Sequence, residues 1–451
     1  MDTMIAPTPL EASSEPQSST LAALLDKISR REARVGVIGL GYVGLPLAVD
    51  LAQAGFSVTG FDLDRRRTDQ ANRGNSYIAD VDDQTLRQQI QGGRLHATDD
   101  FAELSDLDTV SICVPTPLSK TKEPDLSYII QAVQAVADHL HRGQLIVLES
   151  TTYPGTTEEI ALPMLERSSL TVGKDFFLAF SPERVDPGNA AYQTGNTPKV
   201  VGGITPRCTL AATALYNLCT GRVVEVSSAR TAEMVKLLEN TFRNVNIGLA
   251  NEMALLCHKF NLDVWEVIEA ASSKPFGFMP FYPGPGLGGH CIPIDPVYLT
   301  WKARANGFEP RLIETAQQIN NHMPHPVVDR ITVALNDLGK PLRGSRVHIL
   351  GVAYKRDVAD VRESLALDIM HLLAERKAQI SYSDPSILHL RTSEFDHSSE
   401  TLANLLCEKD CLVVVTDHSC FDYPAIVRNA PLIVDTRNAL SQFRKGKIYR
   451  L

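Results

Sequence analysis

The residues best suited to covalent chemistry lie in one stretch, Phe281-Tyr-Pro-Gly-Pro-Gly-Leu-Gly-Gly-His-Cys-Ile-Pro-Ile-Asp295. Its glycines and prolines predict a rigid loop whose backbone N–H groups can approach a ligand closely. Cys291 follows Gly288-Gly289 in that loop. A thiolate there attacks a carbonyl carbon, whereas the same residue in a core is an inert space-filler. The loop by itself leaves both readings open. His290 invites a Cys–His dyad, but neighbouring side chains of extended backbone point apart, so it is not expected to act as a base on Cys291. His290 also lacks companions at metal-ligand spacing, and no metal site is expected.

A second constellation is Gly39-Leu-Gly41-Tyr42-Val43-Gly44, a G-x-G-x-x-G that directly follows the apolar strand Arg34–Ile38 and opens a helix. In that setting the glycines permit a tight turn and bring backbone close to a pyrophosphate at the helix N-terminus. Asp62 ends the next strand, where a carboxylate accepts from ribose hydroxyls. The residues predict a bound dinucleotide. Asp62 repels a 2′-phosphate and favours NAD, although Arg65, Arg66 and Arg67 offer an NADP alternative or an ordinary solvated face. Val114-Pro115-Thr116-Pro117 and Ser150-Thr151-Thr-Tyr-Pro154 follow later strands of the same sheet. They read either as a wall beside the nicotinamide or as simple turns. Tyr298 and Lys302 fit the Tyr-x3-Lys of short-chain dehydrogenases but stand roughly 250 residues from the glycine motif, and the match is taken as accidental.

Two α/β units and a long helix must position these residues. Strands are expected at 34–38, 57–61, 109–114 and 145–149, with helices at 45–54 and 126–139 between them, the alternation of a doubly wound parallel sheet. From about Thr231 to Phe260 the period changes. Val235, Leu238, Phe242, Val245, Leu249, Met253, Leu256 and Phe260 form one apolar stripe, with Lys236, Asn240, Arg243 and Asn244 opposite. Such a helix is a natural spine and a dimer surface. A second βα pattern starts near Pro341, with strands at 346–352, 379–383, 411–415 and 432–434 and a helix at 364–376. The fold class is therefore α/β: two Rossmann-like, doubly wound parallel-sheet domains joined by a long central helix. The expected divisions are a tail and short helix (1–30), a dinucleotide domain (31–225), a central helical region with the cysteine loop (226–325) and a second Rossmann-like domain (326–451).

Composition narrows the function classes. The chain has 451 residues, of which 44% are hydrophobic, enough to bury sizeable cores. A formal charge of −9 argues against nucleic acid as a partner, though not against a small anion held by local donors. Eight scattered cysteines without a CxxC pair fit reduced thiols in a cytoplasmic protein, and Cys407 and Cys411 read as core filling. No apolar run approaches the ~20 residues that span a membrane. Residues Met1 to Thr20, rich in Pro, Ser, Thr and Glu, read as a disordered tail and not a signal peptide.

Five motifs in order carry a resemblance. They are Gly39–Gly44, Ser181-Pro-Glu183-Arg184-Val185, Lys236-Leu-Leu-Glu-Asn240, the Gly286–Asp295 loop, and Tyr354-Lys355-Arg-Asp357 with Arg362-Glu-Ser364. From about Arg34 to Asn438 the chain resembles the UDP-glucose/GDP-mannose dehydrogenase family of nucleotide-sugar 6-dehydrogenases. The resemblance implies oxidation of a C6 alcohol to a carboxylate with two NAD per sugar. It implies that Cys291 attacks the intermediate aldehyde, giving a thiohemiacetal and then a thioester that water hydrolyses. Lys236 and Asn240, four apart on one helix face, match residues that stabilise the oxyanion; without the resemblance they read as a solvated face. Thr151, Glu183 and Asp295 match residues that position or activate water.

The matched positions also imply the binding residues. Gly39, Gly41, Tyr42, Val43, Gly44, Asp62, Arg67, Val114 to Pro117, Ser150, Thr151 and Arg362 would hold NAD, the last reaching it across domains. Glu183, Arg184, Val185, Lys236, Asn240, Tyr282, Gly284, Gly286, Gly288, Tyr354, Lys355 and Arg437 would hold a UDP-sugar. Arg184 and the His-Cys-Ile-Pro-Ile-Asp-Pro296 sequence resemble the UDP-N-acetylglucosamine branch, Arg184 adding donors for an acetamido carbonyl. The implied product feeds surface-polysaccharide synthesis, with UDP-N-acetylgalactosamine, UDP-N-acetylmannosamine and UDP-glucose as alternatives. A homodimer or a multiple of it is expected, with no nucleic-acid or membrane partner. Other classes that fit the sequence are an NAD-dependent epimerase, which accumulates no NADH, and a non-catalytic ligand-binding regulator.

Overall fold

A computed structural model describes residues 19–78, 80–184, 195–402, 407–443 and 447–451. The tail expected at 1–20 lies almost wholly outside them, as does Val185. The first sheet has strands β1 (Arg34–Ile38), β2 (Ser57–Phe61), β3 (Leu95–Thr98), β4 (Thr109–Ile112), β5 (Leu145–Leu148), β6 (Phe177–Phe180), β7 (Lys199–Gly203) and β8 (Val223–Glu225). Their order is β3-β2-β1-β4-β5-β6-β7-β8. Every pairing is parallel except β6 with β7, so the expected all-parallel sheet carries one antiparallel step.

Neighbouring residues of one strand enter different cores. Leu145 and Val147 of β5 join a cluster with Leu45, Leu47 and Leu215, while Ile146 and Leu148 join one with Ile129, Val133 and Leu165. A strand buried on both faces reads as an unbroken apolar run, and this is why β1, β4 and β5 are legible in the sequence. The second sheet follows the same rule. Its strands are β9 (Arg346–Leu350), β10 (Gln379–Ser383), β13 (Cys411–Val414), β14 (Ile433–Asp435) and β15 (Ile448–Arg450), in the order β10-β9-β13-β14-β15. A small antiparallel pair, β11 (His389–Arg391) and β12 (Asp396–Ser398), lies apart from it. Val347, Ile349 and Val413 face one core, and Leu350, Leu412 and Val414 the other.

The central helix, Ala229–Lys259, starts at Ser228, whose side chain accepts from the Thr231 N–H, and ends on His258 and Lys259 near its carbonyl terminus. Its polarity is inverted relative to a surface helix. Leu238, Phe242, Leu249 and Phe260 are exposed by 46–64%, whereas Lys236, Asn240, Asn244 and Asn251 are buried. The reading of Lys236–Asn240 as a solvated face is therefore overturned. Gly248 lets the helix touch Arg311–His322, since a Cβ there would stand 3.0 Å from the Ala316 Cβ. Asn251 Nδ2 donates to Asn320 Oδ1 at 2.9 Å, and Asn320 Nδ2 to the Asn244 carbonyl at 3.0 Å. These amides satisfy one another in part, while the buried Thr241 hydroxyl and the Asn244 amide oxygen on the same face make no hydrogen bond among the described residues.

Candidate active site

The glycine turn is built by three different needs. Gly39 has φ +92°, and a Cβ on it would stand 2.6 Å from the Cys113 carbonyl oxygen. A Cβ on Gly44 would overlap the Gly39 carbonyl. Gly41 differs: nothing lies within 4 Å of where its Cβ would be. Its missing side chain leaves room beside the N-terminus of the helix Gly44–Gln53, where a pyrophosphate fits. Tyr42 and Val43 are half-buried between these glycines. Asp62, 8% exposed, accepts from the Leu40 N–H at 3.0 Å and from Arg67 Nη1 at 3.2 Å. Arg66 pairs with Asp64 at 3.0 Å and Arg65 lies 3.7 Å from Asp99. Each arginine of the triplet thus faces a carboxylate, which fits a ribose diol at Asp62 better than a 2′-phosphate. The residues present suit NAD.

The later strand ends line the same edge. Ser150 spends its hydroxyl on the Ile112 carbonyl at 3.2 Å, while Thr151 stays half-buried. Pro115 is exposed, and Val114, Thr116 and Pro117 are half-buried. Pro117 accepts from the Tyr298 hydroxyl at 3.0 Å. Tyr298 packs against Tyr153 and Leu237, and Lys302 pairs with Glu159 at 2.6 Å. Lys302 Nζ also lies 4.8 Å from the centre of the Tyr153 ring, so the two share that neighbour.

In the cysteine loop the glycines admit protein more than ligand. A Cβ on Gly288 would stand 2.9 Å from the Glu363 carbonyl, and one on Gly289 (φ +87°) would stand 2.8 Å from the Tyr354 ring. A Cβ on Gly286 (φ +120°) would stand 2.6 Å from the Asn320 carbonyl oxygen, and one on Gly284 would stand 2.9 Å from Arg437 Nη1. The loop is therefore the seam on which the second α/β unit closes. After it, Cys291 is a partly exposed thiol whose carbonyl accepts from the Ile294 and Asp295 N–H groups at 3.1 and 2.8 Å. These bonds open the helix Asp295–Ala305.

Two bonds stitch that segment to the central helix. Asn240 Nδ2 donates to Asp295 Oδ2 at 2.5 Å, and Asn244 Nδ2 to the Ile292 carbonyl at 3.2 Å. Burial pushes the Asp295 carboxyl up to about 6, against the Lys236 charge and the Asn240 bond. Lys236 donates to the Glu183 carbonyl at 2.5 Å. Its charge acts on Asp295 and also helps to hold the His290 imidazole below its usual range, after burial and the Arg362 charge. Lys236 thus stands near residues on both sides of Cys291. His290 Nδ1 is buried and makes no hydrogen bond among the described residues.

The remaining predicted residues divide. The Glu183 carboxylate accepts from the Arg184 N–H at 2.8 Å and lies 3.7 Å from Lys199 Nζ. The Arg184 guanidinium is turned to protein, 2.6 Å from Glu239 and 2.7 Å from the Pro198 carbonyl. Tyr282 is 53% exposed and stacks on Trp265. From the second unit, Arg362 pairs with Asp360 at 2.7 Å and lies 5.1 Å from the Tyr42 ring centre, beside the glycine turn. Tyr354 meets His290 edge-on at 6.3 Å, and Lys355 is half-buried next to it. Arg437 donates to the Val415 carbonyl at 2.9 Å, and burial with the nearby Arg356 charge lowers it to about 10.

Sequence reasoning missed Glu149, Lys199, Tyr216 and Glu233. Glu233 is fully buried and accepts from the Gly155 N–H at 2.5 Å and from the Thr157 N–H and hydroxyl at 2.8 and 2.6 Å. The available signal was a charged residue at the border of an apolar run: Glu149 after Leu145–Leu148 and Lys199 before Val-Val.

The pattern of the UDP-glucose/GDP-mannose dehydrogenase family matches its NAD binding domain at residues 33–220, its central domain at 230–322 and its UDP binding domain at 348–442. A UDP-N-acetyl-D-mannosamine dehydrogenase of Pyrococcus horikoshii is 34% identical over 92% of this chain and 98% of its own length. A UDP-N-acetyl-D-glucosamine 6-dehydrogenase of Pseudomonas aeruginosa is 36% identical over 79% of this chain and 83% of its own. Among solved structures, a UDP-N-acetylmannosamine dehydrogenase of P. horikoshii superposes with a TM-score of 0.85, covering 92% of this chain and 98% of that one at 34% identity.

Proposed function

The chain belongs to the UDP-glucose/GDP-mannose dehydrogenase family, and within that family we propose that it oxidises the C6 hydroxyl of UDP-N-acetylglucosamine to the uronic acid. It is an NAD-dependent nucleotide-sugar dehydrogenase; the sugar and the covalent route are our reading. We place the reaction in the cytoplasm, in surface-polysaccharide synthesis. The observation that carries the reading is the Asn240–Asp295 bond of 2.5 Å, which fixes the Cys291–Asp295 segment against the buried helix face bearing Lys236.

NAD, when bound, accepts a hydride in each of the two oxidations. The chain's own residues supply the rest. Asp295, buried with its carboxyl near 6, suits the passing of a proton at neutral pH. Cys291 Sγ adds to the aldehyde carbon, giving a thiohemiacetal that is oxidised to a thioester. The Lys236 ammonium and the second N–H of the Asn240 amide are suited to the oxyanion that forms at each addition. Water then adds to the thioester carbon, the C–S bond breaks, and the thiolate leaves. Glu183 and Thr151 position that water, with Glu183 taking its proton. Gly39, Gly41, Gly44, Asp62 and Arg362 are assigned to NAD, and Tyr354, Lys355 and Arg437 to the UDP-sugar.

The His-Cys-Ile-Pro-Ile-Asp-Pro296 sequence supports an N-acetylated sugar. Because Glu239 and Pro198 hold the Arg184 guanidinium, we assign it to shaping the sugar wall more than to binding the acetamido group. The relatives whose names give N-acetylmannosamine and N-acetylgalactosaminuronic acid make the same oxidation of UDP-N-acetylmannosamine or UDP-N-acetylgalactosamine the second reading. The exposed stripe Leu238, Phe242, Leu249 and Leu256 supports a homodimer in which a second copy covers it.

The test is NADH release and product mass across UDP-hexoses and UDP-N-acetylhexosamines. Two NADH per sugar and a gained carboxylate are expected, fastest with UDP-N-acetylglucosamine. One NADH with a stable aldehyde sinks the mechanism. Cys291→Ala is expected to abolish uronate formation with NAD binding nearly unchanged; normal uronate output from it removes the nucleophile assignment.

A further inference from the structure

A charged cluster inside the first sheet is left unused by the reaction above. Glu149 follows β5 and Lys199 opens β7, and the two are 1% and 4% exposed. Lys199 Nζ donates to Glu149 Oε2 at 2.6 Å and lies 3.7 Å from Glu183 Oε2. It also sits 4.9 Å from the centre of the Tyr216 ring, whose hydroxyl donates to the other oxygen of Glu149. Topology produces this meeting. The antiparallel register of β6 and β7, Ala179 opposite Gly203 and Phe180 opposite Gly202, brings Lys199 level with Glu183 when continued outward. Parallel pairing of β5 with β6, continued by the Ser181 N–H to the Leu148 carbonyl at 3.0 Å, sets Glu149 alongside.

One buried cation is therefore shared by two carboxylates that differ in reach. Glu149 is sealed in the sheet, whereas the Glu183 side chain keeps 13% exposure and its own carbonyl holds Lys236. Among the described residues, the charged and titratable groups around Glu183 include Lys199 on β7, Glu149 after β5, Cys113 after β4 and Lys236 on the central helix. Burial alone would pull the Lys199 ammonium down, but Glu149 and Glu183 reverse this and hold it above its ordinary value.

We propose that Lys199 is a positioning residue that holds the Glu183 carboxylate in place as proton acceptor for thioester hydrolysis, and that Glu149 competes with Glu183 for its charge. The proposal rests on the Cys291 reading. In the step concerned, the water oxygen bonds to the acyl carbon and the C–S electron pair leaves with Cys291 as thiolate. The water proton passes to Glu183, which must be unprotonated to receive it. Without Lys199, two neighbouring carboxylates in a dry interior favour retention of a proton between them. Without the Glu149 charge, the cation serves Glu183 alone.

The two substitutions thus act with opposite sign. Full-length enzyme is mixed with NAD and its preferred UDP-N-acetylhexosamine, quenched rapidly in acid, and read by intact mass for the Cys291 adduct between pH 5.5 and 9.5. Lys199→Met is expected to displace the acid limb of the hydrolysis rate upward by about one pH unit or more, so that at a pH on that limb adduct accumulates with roughly tenfold slower hydrolysis. Glu149→Gln is expected to displace the limb downward, and the two combined to bring it back toward wild type. A uniform slowing without displacement, or displacement of both single variants in one direction, overturns the proposal. Should Lys199→Met not fold, the isosteric Glu149→Gln decides by direction. Absence of any Cys291 adduct in wild type and in both variants at every pH refutes the covalent reading first, and this proposal with it.

Discussion

Asp295→Asn separates the electrostatics of the site from its packing. The carboxyl is 2% exposed and burial raises it from 3.8 to about 6. A shift of about two units corresponds to about 3 kcal/mol between the protonation states. Because the folded-state value lies above the unfolded one, the folded chain binds the proton more tightly. That contribution to stability is fully present below about pH 4 and is lost as pH rises through about 6. Above pH 7 the native protein holds an ionised carboxylate in a dry site, compensated by Lys236 and Asn240. Asparagine keeps an acceptor for Asn240 and never ionises. Relative to wild type, the variant should therefore gain up to about 3 kcal/mol of stability on going from pH 4 to pH 8. Urea unfolding of both proteins at the two pH values, compared as a difference of differences, measures it. The acid limb of kcat/KM near pH 6 should disappear with a lowered plateau. A stability difference that stays constant between the two pH values refutes the reasoning, since it would mean that ionisation of Asp295 costs the fold nothing.

Three further outcomes follow from the geometry. Gly41→Ala meets no protein atom and should leave the melting temperature within about a degree or two while weakening NAD binding at least tenfold by titration. Gly289→Ala places a Cβ 2.8 Å from the Tyr354 ring at a positive φ, and should cost about 1–3 kcal/mol in denaturant unfolding whether or not NAD is present. Replacing Leu238 and Phe242 together by glutamate should shift the protein toward monomer in light scattering, because both lie on the uncovered stripe; an unchanged mass places the interface elsewhere.

The chemistry of the site was legible in proportion to how local it is. The glycine turn is a strand, a turn and a helix within one short segment, and its residues act where they stand. The doubly buried strands announced themselves as apolar runs, and the second unit repeated that signal. Arg184 shows the opposite case. Its type promised donors for a ligand, but Glu239 on the central helix, 55 positions away, takes them. The loop glycines likewise answer to Tyr354, Glu363 and Arg437, residues that no local pattern connects to them. The Lys199 cluster was invisible for a related reason. It arises only because β7 runs against β6, and a single reversed strand leaves no mark in the periodicity of its own residues.

The central helix is where these arguments meet. Periodicity separated the apolar stripe from Lys236, Asn240 and Asn244, although Arg243, placed with them, is exposed, and it cannot say which face turns inward, since an apolar stripe is normally the buried one. Here the polar face is buried. Lys236 is held by a carbonyl, Asn240 by a carboxylate and Asn251 by a partner amide, so the cost of removing them from water is offset by fixed bonds. The consequence is an apolar stripe in water, with Leu238, Phe242 and Leu249 each about half exposed. Such a surface is rarely left uncovered. The helix thus couples two features: the inward turn that brings Lys236 and Asn240 to the cysteine loop is the same turn that leaves Leu238 and Phe242 exposed, on the stripe we propose a second copy covers. On that account, loss of dimerisation in the double glutamate variant should leave the Asn240–Asp295 contact intact, and residual two-NADH turnover by the monomer would be its measure.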